Sequence, residues 1–351
     1  MRIAVVGLGP AGSMFAAEAS KLGFTVEAFD SSGEYRKACG DALTYRAEYD
    51  SIVEESGAVE TIVNSFDVRV EGEPAATLDL RGPVWKIIDK SRFVGYLREV
   101  AASEGAKIHL HSPKRLEELA GRYDLIVDAR GPFTRPPSLG EHVLVYRVIA
   151  RVDSWDPGTA LLDFEPSNTG LYWVFPASDD GRLVNAGAGY YGRSIDYARR
   201  VALRRLQREL GPAEVVDERG SLIHIWGDVK LSSPGIARIG EAAGLINAAG
   251  GEGNRMALLS ALMLAKALRA GDPLSAYSRL ASNLAAEALI SKMLLSMIAS
   301  AHPRSAAEAL KALPRWFWEN FLKGKLSLTL VLKLAACCPY PLVALLARVK
   351  G

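Results

Sequence analysis

A chain of 351 residues with 49% hydrophobic and 23% charged side chains can bury a sizeable core, which excludes a disordered or fibrous protein. A formal net charge of +2 gives no general attraction for nucleic acid, and none is expected as a partner. Three cysteines, two of them adjacent at Cys337 and Cys338, make no disulfide framework and point to a reducing, cytoplasmic setting, and no metal site is expected.

The chain opens directly on an apolar run, Arg2 to Val6, so no leader peptide is expected. Gly7, Gly9 and Gly12 follow in the spacing G-x-G-x-x-G, and the residues from Ala11 to Leu22 carry helical apolar spacing. A second apolar run ends on Asp30. Strand, glycine turn, helix, strand and acid in this order predict a dinucleotide-binding unit. Gly7 permits the turn, Gly9 admits a pyrophosphate, and Gly12 lets helix and strand pack. The phosphates belong at the helix start near Ala11, where free N–H groups favour anions, and Asp30 is placed to accept ribose hydroxyls.

Beyond Asp30, a loop carrying Cys39-Gly40-Asp41 leads to an expected helix over Tyr45 to Gly57. Phe66 to Leu80 reads as strands around a turn at Gly72-Glu73-Pro74, and Ser91 to Glu104 as an amphipathic helix. Ile108 to His111 is a short strand. Tyr123 to Asp128 is an apolar strand of the kind that returns to a parallel sheet, which puts Asp128 and Gly131 near a cofactor or leaves them as a simple strand exit. Prolines in Pro132 to Gly140 mark a crossing between domains, and His142 to Tyr191 is patterned as an antiparallel sheet with a hairpin at Asp179-Asp180-Gly181. Ile195 to Leu210 is a basic helix whose Arg199, Arg200, Arg204, Arg205 and Arg208 are expected to face solvent.

A strand from Ile236 then runs into a second glycine-rich loop, and Gly250, Gly251 and Gly253 lie before a helix starting near Asn254. Two such loops favour a long cofactor held at both ends, FAD rather than a nicotinamide. From Tyr277 the chain is helical and apolar. Leu326 to Ala347 approaches the length of a membrane span, but Lys333 and Pro339-Tyr340-Pro341 break it into two short pieces. Lys323, Lys325, Lys333, Arg348 and Lys350 face no acid after Glu319, so the tail is expected either to lie peripherally on an anionic membrane surface, at the inner face of the cell membrane, or to pack as a lid.

The fold class expected is therefore α/β with an α+β second domain. A discontinuous Rossmann-like domain takes residues 1–66, 84–131 and 222–275, an antiparallel substrate sheet takes 67–83 and 132–221, and a helical region takes 276–351.

Three segments, in order, resemble the geranylgeranyl reductase family, flavoproteins of the para-hydroxybenzoate-hydroxylase type of fold. Lys37-Ala38-Cys39-Gly40-Asp41 is similar to that family's K-x-C-G-D loop. Gly170-Leu171-Tyr172-Trp173-Val174-Phe175-Pro176 is similar to its G-Y-x-W-x-F-P segment. Arg238-Ile239-Gly240-Glu241-Ala242-Ala243-Gly244, followed by Gly250-Gly251-Glu252-Gly253, resembles its second FAD motif, with Glu241 where the family has an aspartate and Ala249 where it has a proline. The resemblance implies reduction of C=C bonds in a polyprenyl lipid by FAD, recharged by ferredoxin, as a donor protein, or by NAD(P)H. It implies that Lys37, Cys39, Gly40 and Asp41 lie near the flavin, with Cys39 and Asp41 as catalytic candidates beside Tyr172. It places Gly240, Glu241 and Asn254 with the cofactor, and Leu171, Tyr172, Trp173, Phe175 and Pro176 along the substrate. Two other functions stay open at this point: a monooxygenase of the same fold, and a lipid-binding protein that keeps FAD without catalysis.

Overall fold

The structure, a computed structural model, describes residues 1–134, 142–225 and 227–346. The sequence expectations for residues 135–141 and for Ala347, Arg348 and Lys350 lie outside them.

Continuous apolar runs make the first sheet. Strands β1 (Arg2–Val6), β2 (Thr25–Phe29), β8 (Lys107–His109), β9 (Leu125–Asp128), β15 (Ser232–Ser233) and β16 (Ile236–Arg238) form one layer in the order β15-β16-β9-β1-β2-β8. All pairs are parallel except β15 with β16. Ile3, Ala4 and Val5 are fully buried, as strands covered on both faces require. Helix α1 (Pro10–Lys21) packs against α3 (Lys90–Ser103) and α5 (Asn254–Ala267), so the helices that follow both glycine loops meet over one sheet.

The second sheet has seven strands: β5 (Ser65–Val70), β6 (Glu73–Asp79), β10 (His142–Arg151), β11 (Thr159–Glu165), β12 (Gly170–Pro176), β13 (Leu183–Tyr191) and β14 (Glu214–His224). Their order is β14-β10-β13-β12-β11-β5-β6. It is not purely antiparallel, because β5 joins β11 in parallel. The β5–β6 turn has positive φ at Glu71 (55°) and Gly72 (81°), the two-residue geometry that suits a twisted hairpin. One face of this sheet is covered by α4 (Ile195–Leu210). Arg199, Arg200, Arg204 and Arg208 of α4 are exposed as expected, but Arg205 is not: it turns inward to pair with Asp163 and Glu165.

A third, three-stranded sheet was not expected. It comprises β3 (Ala42–Thr44), β4 (Val59–Val63) and β7 (Trp85–Ile88) in the order β3-β7-β4. Pairing with β7 claims residues from Ala42 to Thr44, and the helix expected over Tyr45 to Gly57 shrinks to α2 (Asp50–Glu55). Asp50 and Glu54 of that short helix both pair with the buried Lys86.

The helical region holds α6 (Pro273–Leu280), α7 (Ser282–Ser300), α8 (Pro303–Lys311), α9 (Arg315–Leu322), α10 (Leu328–Cys337) and α11 (Tyr340–Leu346). As the prolines foretold, the apolar tail is two short helices. Helices α8 and α9 contact β5 and β6, so they cover the second sheet as a lid. Helix α7 turns Glu287, Ser291 and Lys292 inward. Ser291 Oγ accepts from Ala248 N at 3.0 Å, and Lys292 Nζ donates to Gly227 O (2.8 Å) and Gly244 O (3.0 Å).

Burial pushes the Lys292 ammonium down to about 8, with Asp228 acting in the opposite sense. Between about 8 and the unfolded value of 10.5, the unfolded chain binds more protons at this site, so Lys292 makes stability rise with pH in that window. Below it both states are protonated, and the cost of burying the charge, about 3 kcal/mol at most, is present in full. Denaturant unfolding of wild type and Lys292→Met is expected to give a stability difference that is flat up to pH 8 and changes between pH 8 and 10.5. A difference independent of pH over that window contradicts the assignment.

Candidate functional site

The first glycine loop is shaped by contacts that leave no room for side chains. A Cβ on Gly7, whose φ is +96°, would lie 2.5 Å from Ala129 O, and one on Gly12 would lie 1.8 Å from Gly7 O. Gly9 differs: its added Cβ would meet only the Tyr35 ring, at 3.3 Å. Its place is at the N-terminus of α1, where no side chain caps the free N–H groups. Asp30, at the end of β2, accepts from Leu8 N (2.6 Å) and Ser32 N (2.8 Å), so one carboxylate braces the glycine loop and the chain leaving the sheet. Arg98 from α3 donates to Leu8 O at 2.8 Å and Gly33 O at 2.8 Å, with Nη2 3.7 Å from Asp30 Oδ2. Sequence reading passed over Arg98, because its helix was judged by its apolar face.

These groups line a cleft of about 590 Å³ that runs from Gly7, Gly9, Ala11 and Asp30, past Lys37 and Gly131, to Glu241, Gly251, Gly253 and Asn254. The two glycine loops, though far apart in sequence, thus open on one elongated space. That space, its uncapped helix start and its basic side chains fit an anionic dinucleotide such as FAD. Gly240 has positive φ, and its N–H donates to Ser260 Oγ, so it serves the loop's turn rather than the cleft wall. Asp128 is buried, with its carboxylate held by Arg130, and lies behind the cleft. Glu241 pairs with Lys37 and accepts from His224 N at 2.7 Å. The extra methylene relative to aspartate therefore lets this carboxylate join the loop after β2, the second glycine loop and the end of β14.

A second space, an apolar cavity of about 180 Å³, lies between the second sheet and the helical lid. Alternation along β12 turns Leu171, Trp173 and Phe175 into it. Leu162 and Phe164 of β11 line it from the sheet, and Leu310, Phe321 and Leu322 from α8 and α9. Ala38, Cys39, Ile223, Gly251, Gly253 and Asn254 border both cavity and cleft, so the two spaces meet at Cys39.

Two of the residues expected along the substrate are placed elsewhere. Tyr172 points to the opposite face of β12, is fully buried under α4, and has the Arg205 guanidinium 4.1 Å from its ring centroid. Burial pushes its hydroxyl well above the usual tyrosine range. It neither lines the cavity nor offers a proton there. Pro176 is likewise buried outside the cavity wall. Tyr172→Phe is accordingly expected to leave flavin binding and turnover within about twofold of wild type, since it removes only a hydroxyl on the far face. A tenfold loss in kcat would return Tyr172 to the reaction.

Around Cys39 the structure gathers a polar network. Asn185 Nδ2 donates to Cys39 O (2.9 Å) and Asp41 Oδ2 (3.1 Å), while Trp173 Nε1 donates to Asn185 Oδ1 (3.1 Å). Asp41 adopts φ +58°, which turns its carboxylate back toward Asn185 and toward Lys90 Nζ at 3.4 Å. Asn254 Nδ2 lies 3.6 Å from Cys39 Sγ and donates to Ala42 O at 2.9 Å. Gly40 has no alternative: an added Cβ would sit 2.4 Å from the Phe175 ring.

Burial raises the Asp41 carboxyl above the usual range, partly offset by the Lys90 charge. Burial opposes the Lys90 ammonium, but Cys39, Tyr35 and Asp41 outweigh it, and its pKa stands above that of a free lysine. Lys90 is thus a buried cation beside a thiol and a carboxyl that holds its proton readily. Neither Lys90 nor Asn185 was expected at the site. Lys90 opens a helix read as amphipathic, and Asn185 lies in a strand read only for its pattern.

The arrangement defines a class: two glycine loops over a parallel sheet, with a mixed sheet roofing an adjoining cavity, is the fold of FAD-dependent oxidoreductases of the para-hydroxybenzoate-hydroxylase type. The comparisons with known proteins bear out the narrower resemblance to geranylgeranyl reductases. The chain is 23% identical over 278 residues to the geranylgeranyl diphosphate reductase of Rhodobacter capsulatus, covering 71% of this chain and 70% of that protein. It superposes on a geranylgeranyl bacteriochlorophyll reductase-like protein from Thermoplasma acidophilum with a TM-score of 0.78 at 18% identity, covering 99% of this chain and 98% of the other. A flavin-dependent brominase shares the fold at a TM-score of 0.68 and 15% identity, over 96% of this chain and 98% of that one. No family model matches the chain.

Proposed function

We propose that this chain is an FAD-dependent reductase that saturates isolated C=C bonds of a polyprenyl lipid, with geranylgeranyl chains as the first candidate. The observation that carries the reading is the apolar cavity that meets the dinucleotide cleft at Cys39. FAD, when bound and reduced, supplies a hydride to one alkene carbon.

Every other requirement falls to the chain's own residues. An isolated alkene has no carbonyl to polarise, so placement and exclusion of water carry much of the rate. Leu171, Trp173 and Phe175 hold an isoprenoid in an apolar wall, and Asn185 fixes the Trp173 indole. The second alkene carbon needs a proton, and the Cys39 thiol at the junction is placed to give it. The thiol is then reprotonated by way of the Asp41 carboxyl, which draws its proton from solvent, while the Lys90 cation stays charged beside them. The balance is one hydride and one proton added across one double bond, with the electron pair coming from the reduced flavin. The recharging donor is proposed to be ferredoxin or NAD(P)H.

Flavin-dependent monooxygenases and halogenases share this fold, so the test separates the chemistries. Protein reduced by dithionite under argon is mixed with a detergent-solubilised geranylgeranyl lipid, and absorbance near about 450 nm is followed, the band of oxidised flavin. Return of the band with lipid and without oxygen supports the reductase. A band that returns only with oxygen, accompanied by an oxygenated product, overturns it.

A further inference from the structure

Seven of the fourteen exposed large hydrophobic side chains among the described residues lie in the helical region, six of them on three neighbouring helices. On α10, Leu328 is 62% and Leu332 59% exposed; on α11, Tyr340 is 54% and Val343 55% exposed. On α7, Leu289 is 49% and Met293 65% exposed. Helix α7 packs against both of the others, and its Ile290 and Leu294 lie with Leu330 and Leu334 of α10 in one cluster. These exposed side chains are therefore on neighbouring helices.

Helix α7 explains why this side is apolar. By length and composition alone it is long enough to cross a membrane, yet only 28% of its apolar window is buried. Its two charged residues and Ser291 face the protein: Glu287 pairs with Arg255, and Ser291 and Lys292 bond to the loops around Gly244 and Ala248. A helix tied inward by a buried ion pair and a buried lysine does not leave the fold to span a bilayer. Helix α10, with ten residues, is about 15 Å long and too short to span about 30 Å of hydrocarbon.

Charge selects the occupant. After Glu319 the sequence contains no acid, and it carries Lys323, Lys325, Lys333, Arg348 and Lys350. Lys333 follows the exposed Leu332 on α10, with Nζ 4.5 Å from the Trp316 ring centroid. Among the described residues the single charged side chain on α10 and α11 is the cation Lys333, and the acid beside them is Glu308 of α8, which accepts from the Tyr340 hydroxyl at 3.5 Å; the basic excess of the segment complements an anionic surface. The same helical layer also walls the apolar cavity, through Leu295 and Ile298 of α7, Leu310 of α8, and Phe321 and Leu322 of α9.

We propose that the outer faces of α10 and α11, with the adjoining flank of α7, dock this chain in the plane of an anionic lipid bilayer, holding the cavity wall against the membrane. Delivery of a lipid substrate by this route rests on the reductase reading; the docking itself does not. The test is flotation of the FAD-loaded protein with vesicles of phosphatidylcholine alone or mixed equally with phosphatidylglycerol, read by flavin fluorescence.

The anionic vesicles are expected to bind on the order of tenfold more protein, with the excess lost in high salt. The pair Leu328→Glu and Leu332→Glu is expected to lower binding on the order of tenfold, because it puts acids into the apolar face. Its flavin spectrum and its turnover of detergent-solubilised substrate stay at wild-type levels. Equal binding by wild type and the double variant overturns the proposal. So does a dimer in sedimentation equilibrium that the double variant dissolves, since the face then belongs to a second copy. Loss of turnover in detergent by wild type would count against the reductase reading and leave the docking result standing.

Discussion

Cys39→Ala is expected to slow single-turnover reduction of a geranylgeranyl lipid by about 10²- to 10⁴-fold, the usual contribution of a positioned proton donor. The substitution removes one sulfur from a half-buried loop residue and leaves its carbonyl, which accepts from Asn185, in place. Flavin content and melting temperature should therefore stay near wild type. The thiol matters because the cleft and the cavity meet there, beside Asn254 and the Lys90 cation. Asp41→Asn keeps the hydrogen bond to Asn185 while removing the titrating group, and a smaller loss is expected, with the pH profile of the rate altered. A Cys39→Ala rate within tenfold of wild type, with flavin bound, would remove the thiol from the proton path.

The largest loss of stability is expected at Arg255. This guanidinium is 2% exposed and is held by Glu252 at 2.9 Å and Glu287 at 3.1 Å. Glu252 belongs to the second glycine loop and also accepts from Thr44 Oγ1 at 3.1 Å; Glu287 belongs to α7. One side chain therefore ties the cofactor loop to the third sheet and to the helical region. Arg255→Met strands two carboxylates in a buried setting, and breaking such a pair costs about 3–5 kcal/mol. The Glu287 carboxyl, raised by burial to about 7 even with Arg255 beside it, would then hold its proton to still higher pH. Pairing Arg255→Met with Glu287→Leu is expected to recover part of the loss, because the second change removes one stranded charge. Denaturant unfolding followed by flavin release measures both. A loss below about 1 kcal/mol for the single change would show that the cluster is solvated.

How far the sequence revealed this molecule depended on the distance between partners. The opening unit was legible because Gly7, Gly9, Gly12 and Asp30 act within a single βαβ segment. The cavity wall was partly legible, since alternation along β12 puts Leu171, Trp173 and Phe175 on one face; the same alternation sends Tyr172 to the other. Strand β14 was missed because it is an edge strand with charged side chains and no clean period, and Gly220 within it is shaped by Ile195, whose side chain an added Cβ would meet at 2.1 Å. The third sheet was missed because its short strands are interrupted by α2 and by the β5–β6 hairpin. The network at Cys39 was out of reach for a similar reason. Asn185 lies 144 residues from Asp41, and no local pattern marks an asparagine as the clamp of a distant loop. Nothing local separates Arg205 from the four other arginines of α4, all exposed on a polar helix; its acids, Asp163 and Glu165, come from a different element.

The mass of the product tests the central claim most directly. Wild-type protein carrying FAD, reduced by dithionite under argon, is incubated with a geranylgeranyl lipid in detergent, and the lipid is weighed by mass spectrometry. Gains of two hydrogens per double bond, taken up in discrete steps, are expected, with both hydrogens of each pair appearing as deuterium when the solvent is heavy water, because dithionite supplies only electrons and both the flavin N–H and the thiol draw their hydrogens from solvent. Lipid recovered unchanged from fully reduced protein, or a product that has gained oxygen once air is admitted, would contradict it.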